Sequence, residues 1–433
     1  MSSPLRIWHP FTNAALDAPP LQAVRAEGVY LYTKDGQRIL DAISSWWVNL
    51  HGHANPRIAD AIAAQAHKLE HVLMAGFTHD AAEELAVRLR KRLPQELTNL
   101  FFSDDGSTAV EVALKIAVQH FSNQGRAQKS EIVALEHGYH GDTAGAMSIS
   151  DESPFNKPFQ SMRYKVHRVH SAYCYRCPVG LTRDVCHIEC VNQLATLLEQ
   201  NHERIATVIV EPLLQGASGM IVHPVEFLQK IRALCTQYDV LLIADEVLTG
   251  FGRTGKMFAC DVAGIVPDLM CLSKGITGGF LPMGATVCSD KVQAPFHSEN
   301  RLHTFYHGHS YTGSALACAA ANASLKIFDD EPVFERIAMI AAVHTERLAQ
   351  FRNMPQVGDV RQVGTVGAIE LRTDDAGYLS SMRSKLYKYF IERGVLLRPL
   401  GNVVYVLPPY VITREELHYV YDVISQAIET VLR

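Results

Sequence analysis

Between Ile58 and Val72, and again from Ala81 to Leu93, apolar residues recur at every third or fourth position, the period of a helix with one buried face. The rhythm then changes. Short, almost uninterrupted apolar runs follow at Leu100–Phe102, Glu131–Leu135, Thr207–Val210, Val240–Ala244 and Asp268–Leu272, with helical spacing between them, as in Pro224–Tyr238. A strand with no polar face has to be covered on both sides. The pattern therefore predicts an α/β fold, a mainly parallel sheet between layers of helix. Each run stops at polar residues: Ser103–Ser107, Glu136–Thr143, Glu211-Pro212, Asp245-Glu246 and Ser273-Lys274-Gly275. Ligands of open α/β sheets bind beyond the carboxyl ends of the strands, so the pattern points to one site there.

Beyond about residue 325 the texture differs. A helical stretch, Pro332–Arg352, precedes short strand patterns at Gly367–Leu371 and Val403–Leu407 and a last helix over Arg414–Leu432. Thr413 and Glu416 have the spacing of a capping box at its start. Three regions are expected: an N-terminal segment, 1–50, packing with a small α+β domain, 326–433, and a large domain, 51–325, holding the sheet.

Composition narrows the function. The chain has 433 residues, 48% of them hydrophobic, and a formal net charge of -5, enough for a large core. No concentrated basic patch suggests nucleic acid or a membrane surface as partner. The first residues lack the basic-then-apolar order of a secretory signal, and no apolar run is long enough for a membrane span. A cytoplasmic protein acting on small molecules is expected. Nine cysteines, an odd number, argue against a disulfide framework.

Asp245 and Lys274 each close an apolar run, where a charge is costly unless partnered. Alone, each reads as a salt bridge, a cap or a surface residue. Lys274 stands 29 residues after Asp245 (274 − 245), about one crossover, which places both on one edge of the sheet. An amine beside a carboxylate there suits a cofactor aldehyde whose ring nitrogen needs an anionic partner. Gly106 and Ser107 open a helix after a strand, a seat for phosphate or a plain cap. Tyr139 could lie flat on an aromatic ring or simply pack in its loop.

The segments Leu242-Ile-Ala-Asp-Glu-Val-Leu-Thr-Gly-Phe-Gly-Arg-Thr-Gly255 and Leu272-Ser-Lys-Gly-Ile-Thr-Gly-Gly279 resemble the signature of class III aminotransferases, pyridoxal-phosphate enzymes of fold type I. The likeness covers nearly the whole chain. Trp8–Thr12, Ser44-Ser-Trp-Trp47, His137–Thr143 and Arg398-Pro-Leu-Gly401 resemble the branch of that class that serves biotin synthesis. The resemblance implies a ping-pong transfer of an amino group to 8-amino-7-oxononanoate, giving 7,8-diaminononanoate, with S-adenosylmethionine as donor. It implies that Lys274 links covalently to pyridoxal 5'-phosphate and shuttles the proton, and that Asp245 holds the ring nitrogen. Gly106 and Ser107 would bind the phosphate, and Tyr139 would stack on the ring. Phe11, Trp46 and Arg398 would bind substrate, Arg398 by pairing with its carboxylate. Gly308 (to substrate), His309 and Ser310 (to cofactor) would act across the interface of a homodimer. Asp142 and Arg253 would be supporting or donor contacts, and Glu211 either a site residue or a structural salt bridge.

Two positions depart from the familiar pattern. Phe11 stands where relatives carry tyrosine, and Gly308-His-Ser-Tyr311 replaces a Gly-Pro-Thr-Phe form. His-Ser-Tyr loops also occur in relatives that take the amino group from lysine, so lysine stays open as donor. An ornithine- or diamine-type enzyme of the class is a further alternative, and a non-catalytic cofactor-binding protein another. Cys174, Cys177, Cys186 and Cys190 have the residue type of a zinc site, with His187 nearby, but a spacing short for a zinc ribbon. An insertion loop of packed thiols, without metal, is the expectation.

Overall fold

The computed structural model describes residues 7–431. Its centre is a seven-stranded sheet in the order Leu97–Ser103, Gly284–Ser289, Leu269–Leu272, Leu241–Asp245, Ile205–Val210, Glu131–Leu135 and His167–Val169. Gly284–Ser289 pairs antiparallel with both neighbours, and the other pairs are parallel. The strands Ile205–Val210, Leu241–Asp245 and Leu269–Leu272 are buried along their whole length. That is why they carry no alternation in sequence: helix covers both faces. On one face, Ile243, Leu269 and Cys271 pack against Val110, Ala113 and Ala117 of the helix Gly106–Asn123. On the other, Val208, Val210 and Leu242 meet Phe227, Leu228 and Ile231 of Val225–Gln237.

The predicted helices lie at Pro56–Lys68, Asp80–Arg90, Val225–Gln237 and Val333–Phe351. The first ends four residues before Val72. Its last turn carries His67 and Lys68, and extended backbone begins at Leu69. The last helix runs from Arg414 to Val431, with the box in place: Glu416 accepts from Thr413 N–H at 2.8 Å, and Thr413 Oγ1 accepts from Glu416 N–H at 3.2 Å. Leu432 lies outside the described residues.

Besides a two-stranded pair, Leu214–Gln215 with Ile221–Val222, two smaller sheets accompany the main one. Val357–Val363, Val366–Leu371 and Val403–Val406 form an antiparallel sheet. Ala23–Glu27, Tyr30–Thr33 and Arg38–Asp41 form another, completed by Val395–Leu396. N-terminal strands thus pair with residues more than three hundred positions later. Residue 325 lies inside the helix Ala315–Asp330; we therefore propose that any division between large and small domains falls after that helix. No helix among the described residues is long and apolar enough to cross a membrane.

Candidate active site

The loops after the parallel strands converge on a cavity of about 820 Å³. Its lining includes Phe11, Trp46, Gly106, Ser107, Tyr139, Asp245, Lys274 and Arg398. Residues up to 387 positions apart thus meet there: the Arg398 guanidinium donates to the Phe11 carbonyl at 3.3 Å.

Asp245 is the last residue of its strand and is buried. Its Oδ2 accepts from His140 Nδ1–H at 2.6 Å and its Oδ1 from the Val247 N–H at 3.1 Å. This partnering answers the cost of a buried carboxylate. Lys274 follows the neighbouring strand with φ +40, a backbone that few L-residues adopt. Burial pushes its ammonium below the ordinary lysine value; Asp245 and Glu211 oppose the fall and Arg253 adds to it. An amine eased toward its neutral form is the nucleophilic form. Its Nζ lies 5.1 Å from the centre of the Trp47 ring.

The helix Gly106–Asn123 begins at the cavity. Asp105 caps it, accepting from Thr108 N–H at 2.8 Å, while the Gly106 and Ser107 amides occupy the first turn, at the positive end of the helix dipole. The backbone packs closely here. A Cβ on Gly141 would stand 1.9 Å from Ser107 Oγ, and one on Gly106 would stand 2.7 Å from Val247 Cγ1. Ser107 Oγ accepts from the Thr143 N–H at 3.2 Å.

Glu211 lines the same cavity. It makes no salt bridge among the described residues; its oxygens accept from the Tyr139 N–H (2.9 Å) and the Gly216 N–H (3.0 Å). Burial pushes its carboxyl up to about 7; His140 counters the rise and Asp245 adds to it. Tyr139 is held in its neutral phenol form by burial and by Asp142.

Trp46 and Trp47 sit on an unusual turn. Ser44, Ser45, Trp46 and Trp47 all have positive φ, from 46° to 77°, at a cost of about 1–2 kcal/mol for each non-glycine residue. One local and two long-range contacts hold it: Ser45 Oγ donates to Asp41 Oδ2 at 2.8 Å, Ser44 Oγ to the Leu407 carbonyl at 2.8 Å, and Trp47 Nε1 to Tyr405 OH at 3.0 Å. Trp47 is buried and Trp46 partly exposed. Trp46 meets Phe11 edge-on at 5.2 Å and carries the Arg398 guanidinium over its face at 4.7 Å.

Sequence reasoning passed over His140 and Trp47 as site residues. His140 lies in a quoted motif, and its place after a strand was the available signal. Trp47 is revealed only by the turn. Arg253 does not line the cavity; it is buried and donates to the carbonyls of Pro408 (2.9 Å) and Asn49 (3.0 Å), so the supporting reading suits it and the donor contact does not. Gly308, His309 and Ser310 also lie outside the lining of this chain's cavity. His309 Nδ1 is 3.8 Å from Asp104 Oδ2.

The aminotransferase class III family profile matches residues 12–428. The adenosylmethionine-8-amino-7-oxononanoate aminotransferase of Synechococcus elongatus is 46% identical, over 100% of both chains. That of Geobacter sulfurreducens is 41% identical, over 98% of this chain and 96% of the relative. The crystal structure of the Methanocaldococcus jannaschii enzyme of that name is similar with a TM-score of 0.91 at 36% identity, covering 98% and 96% of the two chains. An amine transaminase from an uncultivated Pseudomonas species, in its PLP-bound form, has a TM-score of 0.93 at 32% identity, covering 99% of each chain.

Proposed function

The chain belongs to the class III aminotransferases, and on that footing we propose that it transfers an amino group to 8-amino-7-oxononanoate, making 7,8-diaminononanoate for biotin synthesis, with S-adenosylmethionine as donor. It is a pyridoxal-phosphate-dependent transaminase. The observation that carries the substrate reading is the wall of the cavity, where Arg398 lies over Trp46 and bonds to Phe11 in the same cavity as Lys274 and Asp245.

The residues present fit the cofactor. Gly106 and Gly141 let Val247 and Ser107 pack against the backbone at the start of the helix, whose first-turn amides suit a phosphate. Asp245 offers an anchored carboxylate for a ring nitrogen, and Tyr139 an aromatic face. When bound, pyridoxal phosphate supplies an aldehyde for an amine and a ring that withdraws electrons from the carbon being deprotonated. Lys274, its amine eased toward neutrality, would hold that aldehyde and would move the proton at the substrate carbon. His140 fixes the Asp245 carboxylate, whose charge sustains the cationic ring. Arg398 orients substrate through its carboxylate, a planar pairing that suits a guanidinium. Donor and acceptor use one pocket in turn, in two half-reactions.

We further propose a cytoplasmic homodimer, with Gly308, His309 and Ser310 serving the neighbouring subunit's cavity. Support comes from their place on a loop with exposed Leu302, Tyr306 and Tyr311, outside their own cavity. Phe11, which has no hydroxyl, and the His309-Ser310-Tyr311 loop favour one second reading, the same acceptor with lysine as donor.

The test is a half-reaction. The cofactor-loaded protein is mixed separately with S-adenosylmethionine and with lysine, and the cofactor absorbance is followed. Loss of the absorbance with the first alone supports the proposal, and loss with lysine alone transfers it to the second reading. No change with either, or no diaminononanoate formed from the oxo-acid, overturns it. Lys274→Ala is expected to abolish turnover while still binding cofactor non-covalently; retained turnover would remove Lys274 from its role.

A further inference from the structure

The four clustered cysteines take no part in amino transfer. Cys174, Cys177, Cys186 and Cys190 line one small pocket together with Leu181 and Arg183, and none is in a disulfide. The pocket holds about 10 Å³. That is the room of roughly one water, so a single ion fits where an organic ligand does not.

The surrounding chain needs a fastening. From Ser171 to Val191 the only regular structure is two three-residue turns, Cys174–Arg176 and Glu189–Val191. A bare loop of about 20 residues is uncommon in a compact domain. Both ends are tied. Tyr173 OH donates to Glu370 at 2.7 Å and Arg176 pairs with the same carboxylate, while Ile188, Cys190 and Val191 enter the apolar core. The middle is held by little: two turn hydrogen bonds, the His187 N–H on Glu189 at 2.8 Å, a Lys230 bond to the His187 carbonyl, and an exposed Arg183–Glu226 pair at 2.9 Å, worth at most about 1 kcal/mol. Ile188, a β-branched residue, takes φ +67 and donates its N–H to Cys186 Sγ at 3.1 Å.

We propose that this pocket is a structural zinc site, in which Cys174, Cys177, Cys186 and Cys190 bind one ion and close the loop. Among the described residues no group of three or more His, Cys, Asp or Glu is already arranged to hold a metal. Tetrahedral zinc with bonds of about 2.3 Å sets its sulfurs roughly 3.8 Å apart. Binding therefore draws the thiols inward by side-chain rotation, and the loop tightens as the ion arrives. Each thiol that ligates gives its proton to solvent. Four thiolates around a divalent ion leave a double negative charge, which Arg183 in the pocket wall offsets in part. Sulfur ligands select zinc over magnesium or calcium.

The full chain, purified without chelator, is expected to carry about one zinc per chain, released by an organomercurial. Cobalt added to the stripped wild-type protein is expected to give the sulfur charge-transfer and visible bands of a tetrahedral thiolate site. Cys177→Ser is expected to lose most of the zinc and the cobalt bands, with the cofactor absorbance retained. The cobalt spectrum needs no variant, so poor folding of Cys177→Ser leaves the test intact. Zinc-free protein without cobalt bands, or a disulfide among these four found by peptide mass mapping, overturns the proposal.

Discussion

Replacing Glu211 by glutamine should change how stability depends on pH, with a sign that the geometry fixes. The carboxyl is pushed from 4.5 up to about 7, by burial foremost. A group whose pKa is raised in the folded state contributes its full stability below the unfolded value and loses it as pH rises through the folded one. Between about pH 4.5 and 7 the wild type should therefore lose about 3 kcal/mol through this one side chain. Glu211→Gln cannot titrate, so it escapes that loss. It has its own cost: Glu211 accepts from two buried N–H groups, of Tyr139 and Gly216. An amide oxygen can serve one, and the other loses its acceptor, at about 1–3 kcal/mol.

The two effects cross. Near pH 5 the variant should be the less stable by about 1–3 kcal/mol. Near pH 8 the gap should close or reverse, because the wild type then holds an ionised carboxylate in a buried site. The assay is urea unfolding of both proteins across this range, at equal chain concentration and saturating cofactor, since ligand and partner shift apparent stability. Other titrating groups are common to both proteins and cancel in the difference. A gap that stays constant with pH, or widens as pH rises, would refute the reasoning, since it would mean Glu211 is ionised throughout.

Gly141→Ala would bring a methyl to 1.9 Å from Ser107 Oγ, so cofactor affinity should fall by about tenfold or more, read by absorbance titration; an unchanged Kd would remove the phosphate from this corner. Arg398→Lys keeps the charge but loses the fork and the stack on Trp46, and kcat/KM for the oxo-acid should fall on the order of 10- to 100-fold. Equal kcat/KM in steady-state kinetics would show that Arg398 does not bind the acceptor. Arg361→Met strips Glu370 of a buried partner at 2.7 Å and should cost about 3–5 kcal/mol, most of it recovered in Arg361→Met/Glu370→Leu; equal denaturation midpoints for the two would refute this. Burial raises the Glu370 carboxyl, but Arg361, Tyr173 and Arg176 together outweigh it and hold it below 4.5. The wild type should accordingly lose this stability as pH falls through that lowered value, and the double variant should not.

The main sheet was legible because its strands are short, apolar and bounded by polar residues, a local signal. Gly284–Ser289 was not. Its residues are small, and Thr286 is polar, yet the strand is buried: Thr286 Oγ1 donates to the Ala109 carbonyl at 2.7 Å, which removes the cost of burying the hydroxyl. The helix Ala315–Asp330 was missed for a related reason. It packs against both Pro56–Lys68 and Asp80–Arg90, so its alanine-rich stretch lacks the polar face that would mark a period. Lys274 and Asp245 could be found because strand ends point at the site whatever the rest of the fold does.

The tryptophan pair obeys a different rule. Nothing within Ser44–Trp47 favours a left-handed turn; there is no glycine, and two residues are bulky. The conformation persists because Leu407 and Tyr405, some 360 positions away, supply the acceptors for Ser44 and Trp47. Those two residues belong to the end of the strand Val403–Val406 and the residue after it, just past Arg398. One stretch of chain thus carries Arg398, the guanidinium proposed for a substrate carboxylate, and holds the turn that sets Trp46 beneath it. Strain of this kind survives only where the surroundings over-determine it. The arrangement of Trp46 and Arg398 in the cavity wall is therefore a property of how the two ends of the chain pack, and reading either segment alone could not have revealed it.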